Sequence, residues 1–105
     1  MLVIPNKAQS IWGEFLKENK VLVHKYVVRE IKKAYNAGKS EADLFKFEDG
    51  KLHTKVPRKN FVKTLTDSKE LFIKEQEFEY AGEVSRLINT IVIEDLIKDT
   101  LNTEE

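Results

Sequence analysis

The sequence predicts a mainly α protein with one small β-hairpin at about residues 44-56 and a long C-terminal helix. Three observations support this fold class. Apolar residues recur with a helical period in three segments, the pair Asp49-Gly50 separates two short segments with strand character, and residues 67-101 carry the densest apolar pattern. The alternative is an α+β fold with an additional strand at residues 71-80.

Composition is that of a globular protein, since 41% of the 105 residues are apolar and 34% are charged. The length suits a single domain, residues 1-105, with one core. The chain has no cysteine, which excludes disulfides and thiolate metal ligands. Because no secretory leader or membrane-length apolar run is present, we expect a cytoplasmic protein.

Charge is unevenly distributed although the net charge is zero. Residues 1-66 hold 14 Lys and Arg against 7 Asp and Glu, and residues 67-105 hold 4 against 11. The first part is therefore +7 and the second −7. This asymmetry indicates either an anionic partner for the basic part or neutralisation of one part by the other in the folded domain.

The first two helices follow from the spacing of apolar residues. Asn6 can cap a first helix that ends near Asn19, and its apolar face consists of Ala8, Ile11, Trp12, Phe15 and Leu16. A second helix spans residues 21-37 and stops before Gly38. Its apolar side carries Val23, Val27, Val28, Ile31, Ala34 and Tyr35, and the opposite side carries Lys25, Arg29, Lys32 and Lys33.

A new capping signal follows at once, because Ser40 begins the sequence SEAD. A helix, a glycine turn and a new cap give the order of a helix-turn-helix. Ala34, Gly38, Leu44 and Phe47 occupy its characteristic positions. Lys33 and Lys39 stand where that pattern has apolar residues, so the match is partial.

A hairpin is predicted around Asp49-Gly50, a pair that favours a two-residue type I′ turn. This register pairs Phe47 with Leu52 and Phe45 with Thr54 on one face. Lys46 and His53 then share the other face, which we expect to be basic. A hairpin after a helix-turn-helix is the order of elements in a winged-helix domain.

The C-terminal helix carries two apolar stripes. The first comprises Val84, Leu87, Ile88, Ile91 and Val92, and the second, nearly opposite, comprises Ile93, Ile97 and Leu101. An ordinary surface helix has one stripe, so the second predicts a homo-oligomer interface. Asp67 and Glu70 form a capping box for the helix start, while Phe72, Phe78 and Tyr80 fit the strand alternative.

Catalytic and metal-binding motifs are not found. His24 and His53 lack metal-ligand spacing, and neither a phosphate-binding glycine loop nor a nucleophile elbow is present. The acidic residues Glu70, Glu75, Glu77, Glu79 and Glu83 fit a solvated face. The sequence therefore predicts a protein that is not an enzyme and has no cofactor or metal.

Two functions remain. The first is a nucleic-acid-binding regulatory protein, a homodimer that contacts phosphates and bases through its helix-turn-helix-like segment and hairpin. Its predicted contact residues are Lys25, Arg29, Lys32, Lys33, Lys39, Ser40, Lys46, Lys51, Lys55, Arg58 and Lys59. The alternative is an accessory or inhibitor protein of phage or plasmid type, which binds a host or self protein through its acidic or apolar C-terminal surface.

Overall fold

A computed structural model describes residues 1–103, and it confirms a mainly α protein with a small β element and a long C-terminal helix. Its strands and helices, in chain order, are β1 Leu2–Ile4, α1 Gln9–Glu18, α2 Lys20–Asn36, β2 Glu41–Phe47, β3 His53–Pro57, α3 Phe61–Lys74 and α4 Phe78–Thr103. Short 3-10 turns precede α1 at Asn6–Ala8 and α3 at Arg58–Asn60. The chain divides into two compact units, Met1–Phe61 (unit 1) and Val62–Glu105 (unit 2). The single domain expected from length stays a prediction.

Unit 1 contains a three-stranded sheet with β2 in the centre. β1 runs parallel to β2, and β3 runs antiparallel to it. The first apolar residues of the chain are therefore an edge strand, with Ile4 buried. The backbone N–H of Glu48 donates to the Ile4 carbonyl at 2.9 Å, which extends the β1–β2 pairing one residue past the end of β2.

The β2–β3 hairpin has the predicted register but a different turn. Phe45 pairs with Thr54 and Lys46 with His53, as expected. A type I′ turn needs positive φ at both Asp49 and Gly50. Gly50 has φ of 77°, and Asp49 is not among the described residues with positive φ. The Gly50 N–H donates to the Phe47 carbonyl at 2.9 Å, so the prediction of a two-residue type I′ turn is wrong.

A β-bulge interrupts β2 at Leu44. Asp43 pairs with Lys55 and Phe45 with Thr54, which leaves Leu44 without an opposite residue. The Tyr26 hydroxyl donates to the Leu44 carbonyl at 2.6 Å.

The helices α1 and α2 cover one face of this sheet. The Phe45 ring meets the Trp12 ring edge-on, with centroids 5.0 Å apart. On α2, Val27, Ile31 and Ala34 are buried, as predicted for its apolar side. On α1 the prediction holds in part: Trp12 is half-buried, whereas Ile11 is 59% exposed.

The predicted helix-turn-helix is wrong, because the segment after Gly38 forms β2 instead of a helix. α2 does end where the glycine predicted: Gly38 has φ of 68°, and the Lys39 N–H donates to the Ala34 carbonyl at 2.9 Å. Ser40 then leads into a strand. In the segment 41–44 polar and apolar residues alternate, and a strand between two neighbours satisfies its backbone groups on both sides. The winged-helix order is wrong for the same reason.

Unit 2 consists of α3 and α4, joined by a tight turn at residues 75–77. Gln76 has φ of 60°, and the Glu77 N–H donates to the Phe72 carbonyl at 2.7 Å, which ends α3 with a left-handed cap. The strand alternative at residues 71-80 is therefore wrong. Asp67 lies inside α3, so the capping box that was predicted to start the C-terminal helix there is wrong as well.

Candidate binding surfaces

The cationic stripe of α2 is exposed, but an acidic residue adjoins it. The Arg29 and Lys33 side chains are 68% and 67% exposed, and Lys32 is exposed too. Glu30, which is buried, has carboxylate oxygens 3.7 Å from Arg29 Nη2 and 3.6 Å from Lys33 Nζ. The Glu30 carboxylate therefore balances part of the positive charge that was predicted to contact nucleic-acid phosphates.

The outer face of the hairpin is mixed in charge, so the prediction that it is basic is wrong. Cross-strand partners point to the same side of a sheet. Lys55 Nζ lies 3.2 Å from a Glu41 carboxylate oxygen, and His53 Nε2 lies 3.2 Å from an Asp43 carboxylate oxygen. Both acids come from the part of β2 before residue 44, where the sequence did not predict a strand.

Arg58 packs within unit 1 instead of extending into solvent. Its guanidinium lies 5.2 Å from the Tyr35 ring centroid and 5.5 Å from that of Phe61, both within cation–π range. Its backbone N–H donates to the Ser40 carbonyl at 2.9 Å. Arg58 therefore ties the start of β2 to the end of β3.

The remaining predicted contact residues are spread over other elements. Lys39 and Ser40 lie in the connection from α2 to β2, and no reader helix presents them. Lys46 lies on β2, Lys51 in the hairpin loop and Lys59 in the 3-10 turn before α3. Lys33 of α2 and Lys39 line a shallow polar pocket together with Glu41 and Asp43 of β2. Acidic residues therefore lie among the predicted contact residues.

The second stripe of α4 is exposed. Ile93, Ile97 and Leu101 are 56%, 54% and 58% exposed. The structure adds Leu96, at 64% exposed, and Val92, at 47%, which the sequence had placed on the buried side. We call the surface formed by Val92, Ile93, Leu96, Ile97 and Leu101 the α4 apolar face.

The apolar side of α4 changes along the helix. Ala81, Val84 and Ile91 are buried and lie on one side. At 100° per residue, the same side continues after Ile91 through the charged residues Glu94, Asp95 and Lys98. The α4 apolar face occupies the opposite side from residue 92 onward. The end of this helix therefore presents aliphatic side chains to solvent on the side where a surface helix normally carries polar ones.

Unit 1 contains an open groove that the sequence did not reveal. Its volume is about 290 Å³, and side chains from β1, α1, α2 and β2 line it, among them Leu2, Trp12, Phe15, Leu22, Tyr26 and Phe45. Leu22 is 61% exposed and Phe15 is 39% exposed. We call this the unit 1 groove. No local pattern could have found it, since its residues come from four separated segments.

Tyr26 joins the unit 1 groove to the cationic stripe. The Arg29 guanidinium lies 5.8 Å from the Tyr26 ring centroid. Burial, followed by the nearby Glu30 carboxylate, raises the pKa of the Tyr26 hydroxyl, which keeps it protonated as a donor to Leu44. A cationic edge therefore borders an apolar groove.

Residues 1–103 contain neither a metal-binding cluster nor a membrane-spanning helix. Among residues 1–103, no group of three or more His, Asp or Glu side chains is placed to hold a metal ion. Within the same residues, no helix combines the length and apolar character needed to cross a bilayer. No family model, curated protein or solved structure matches this chain.

Proposed function

We propose that this is a non-enzymatic protein-binding protein whose contact surface is the α4 apolar face, and that the chain it binds is another copy of itself. The observation that carries the proposal is the exposure of four large aliphatic side chains, Ile93, Leu96, Ile97 and Leu101, each 54–64% exposed on one side of a single helix. Contiguous exposed apolar patches of this kind mark interaction sites in soluble proteins.

Charge on α4 supports a specific contact. Glu94 and Asp99 lie at the borders of the α4 apolar face, and Lys98 Nζ is 2.7 Å from a Glu94 carboxylate oxygen. An apolar centre with charged residues kept to its edge is the usual anatomy of a protein interface.

The test is the molar mass of Ile97→Lys over a range of concentrations, measured by light scattering after size exclusion. Wild type should exceed the monomer mass at high concentration, whereas Ile97→Lys should stay monomeric because a buried, unpaired ammonium opposes association. Ile73→Lys is the matched control, since Ile73 is 48% exposed on a different helix, α3, and is not part of the α4 apolar face. Wild type that stays monomeric up to roughly 1 mM would reject the proposal.

Nucleic-acid binding is kept as a second candidate because the Arg29 and Lys33 side chains are about two-thirds exposed on one helix. It would use phosphate contacts alone, without a reader helix, so it should be independent of base sequence and fall steeply with salt. Adding random duplex DNA at low salt to the same measurement tests it. Absence of any complex, or binding that Arg29→Glu leaves unchanged, removes this candidate.

A further inference from the structure

We propose that the α4 apolar face of one molecule docks into the unit 1 groove of a second copy. This inference rests on the proposed function and names the surface that receives the helix. Each contact joins two different surfaces, the α4 apolar face of one copy and the unit 1 groove of the other. Two copies that make this contact reciprocally form a closed dimer with two equal contacts.

The groove favours side chains over a whole small-molecule ligand. Pockets for such ligands usually occupy about 300–1,000 Å³ and carry a few placed polar groups. The unit 1 groove lies at the lower limit of this range, at about 290 Å³, and its accessible lining is apolar, without such placed polar groups. A shallow apolar groove of this type suits the side-chain ridge of an amphipathic helix.

The edges of the two surfaces are complementary in charge. Arg29 stands beside the groove, 5.8 Å from the ring of Tyr26, and Lys25 lies on the same side of α2. Glu94 and Asp99 border the α4 apolar face. Residues 1–61 hold 13 Lys and Arg against 7 Asp and Glu, whereas residues 62–105 hold 5 against 11. Opposite charges at the rim steer two such surfaces together.

A symmetric pairing of two α4 helices is less favourable. Residues 92–103 carry three carboxylates, on Glu94, Asp95 and Asp99, and one ammonium, on Lys98. In a symmetric pairing, Glu94 and Asp99 at the borders of one face would lie near the same acids of the other copy, and like charges repel. Docking in the groove would instead place the acids of one copy near Arg29 of the other.

Two variants with one defect each test the inference. Leu22→Glu places a carboxylate in the groove, at a position that is 61% exposed and so tolerates the change without unfolding. Ile11→Glu is its control, at 59% exposed on α1 and outside the groove lining. Ile97→Lys disables the α4 apolar face. Far-ultraviolet circular dichroism confirms that each variant is folded.

Each variant alone should have a dimer dissociation constant at least about 100-fold above that of wild type, corresponding to roughly 2.7 kcal/mol. The Ile11→Glu control should match wild type. An equimolar mixture of Leu22→Glu and Ile97→Lys should recover association, because the first supplies an intact α4 apolar face and the second an intact groove. This mixed dimer has one contact instead of two, so its dissociation constant should fall between those of wild type and the single variants.

The outcomes separate this inference from the proposed function. If Leu22→Glu associates like wild type while Ile97→Lys does not, the groove is not the receptor, and only the present inference is overturned. A mixture that fails to recover association overturns it as well. If Ile97→Lys associates like wild type, the α4 apolar face is not a contact surface and the proposed function fails too.

Discussion

The change of apolar side along α4 can be tested with two isoleucines that are two residues apart. Ile91 is fully buried and Ile93 is 56% exposed, and the same substitution to alanine can be made at both. The two sites share the residue type and the helix, so they differ only in how deeply the side chain is buried. Ile91→Ala should destabilise the folded chain, and Ile93→Ala should affect association instead.

The magnitudes follow from burial. Truncation of a buried isoleucine to alanine costs about 2–5 kcal/mol, because apolar contacts are lost and a cavity remains. Full burial of an aliphatic side chain is worth about 1.5–3 kcal/mol, so the covered part of Ile93 contributes roughly 1 kcal/mol. The higher helix propensity of alanine stabilises the folded chain by up to about 0.7 kcal/mol and offsets part of this loss. The net change in unfolding free energy for Ile93→Ala should therefore be within about 0.5 kcal/mol.

Urea unfolding followed by circular dichroism measures both free energies, at a concentration low enough to keep the chain monomeric. The m-value should stay constant across the variants, so that midpoint shifts report stability alone. In association measurements the order of the two variants should reverse, with the larger effect from Ile93→Ala. Ile93→Ala removes roughly 1 kcal/mol from each of two copies, which weakens the dimer about 30-fold. Equal destabilisation by the two substitutions, or a loss below about 1 kcal/mol for Ile91→Ala, would refute the assignment of the two sides.

Three further substitutions test local features by urea unfolding. Gly50→Ala should lower the free energy of unfolding by about 1–2 kcal/mol, because Gly50 has φ of 77°, a conformation that is strained for alanine. No atom lies within 4 Å of the added Cβ, so the backbone conformation alone sets this cost. Gln76→Gly should stabilise by about 0.5–1 kcal/mol, since Gln76 has φ of 60°. Tyr26→Phe should cost about 1 kcal/mol at neutral pH through loss of the hydrogen bond to Leu44. The pKa of Tyr26 is raised in the folded state, so its contribution is complete below its unfolded pKa and is lost as pH rises toward the folded value. The difference between wild type and Tyr26→Phe should therefore shrink in alkaline solution.

Each of these results can contradict the structure. A Gly50→Ala variant as stable as wild type would mean that the hairpin loop does not use a left-handed residue there. A destabilised Gln76→Gly would place that residue outside the left-handed region. A difference between wild type and Tyr26→Phe that persists unchanged to high pH would exclude the partly buried phenol as its source.

Features encoded by neighbouring residues were predictable from the sequence. The end of α2 followed from Gly38, since glycine adopts the left-handed conformation of a helix cap at little cost. The hairpin register followed from the alternation around Asp49-Gly50. The exposed stripe of Ile93, Ile97 and Leu101 followed from counting along α4. In each case the interaction spans only a few residues, so the local pattern carries the information.

Neighbouring residues alone did not determine the secondary structure of the segment after Gly38. Its SEAD sequence fits a helix cap and also a strand start, and the choice depends on pairing with β1 and β3, which lie far away in sequence. The same pairing placed Glu41 and Asp43 beside Lys55 and His53, which made the hairpin face mixed in charge.

The sequence by itself determined the helical class, the position of the hairpin and the existence of a surplus apolar stripe, because periodicity is a property of consecutive residues. Only the tertiary structure decided which cations are balanced by acids, and only it assembled the unit 1 groove from four separated segments. Burial, charge pairing and concave shape depend on where distant residues meet, and no spacing along a single chain specifies that.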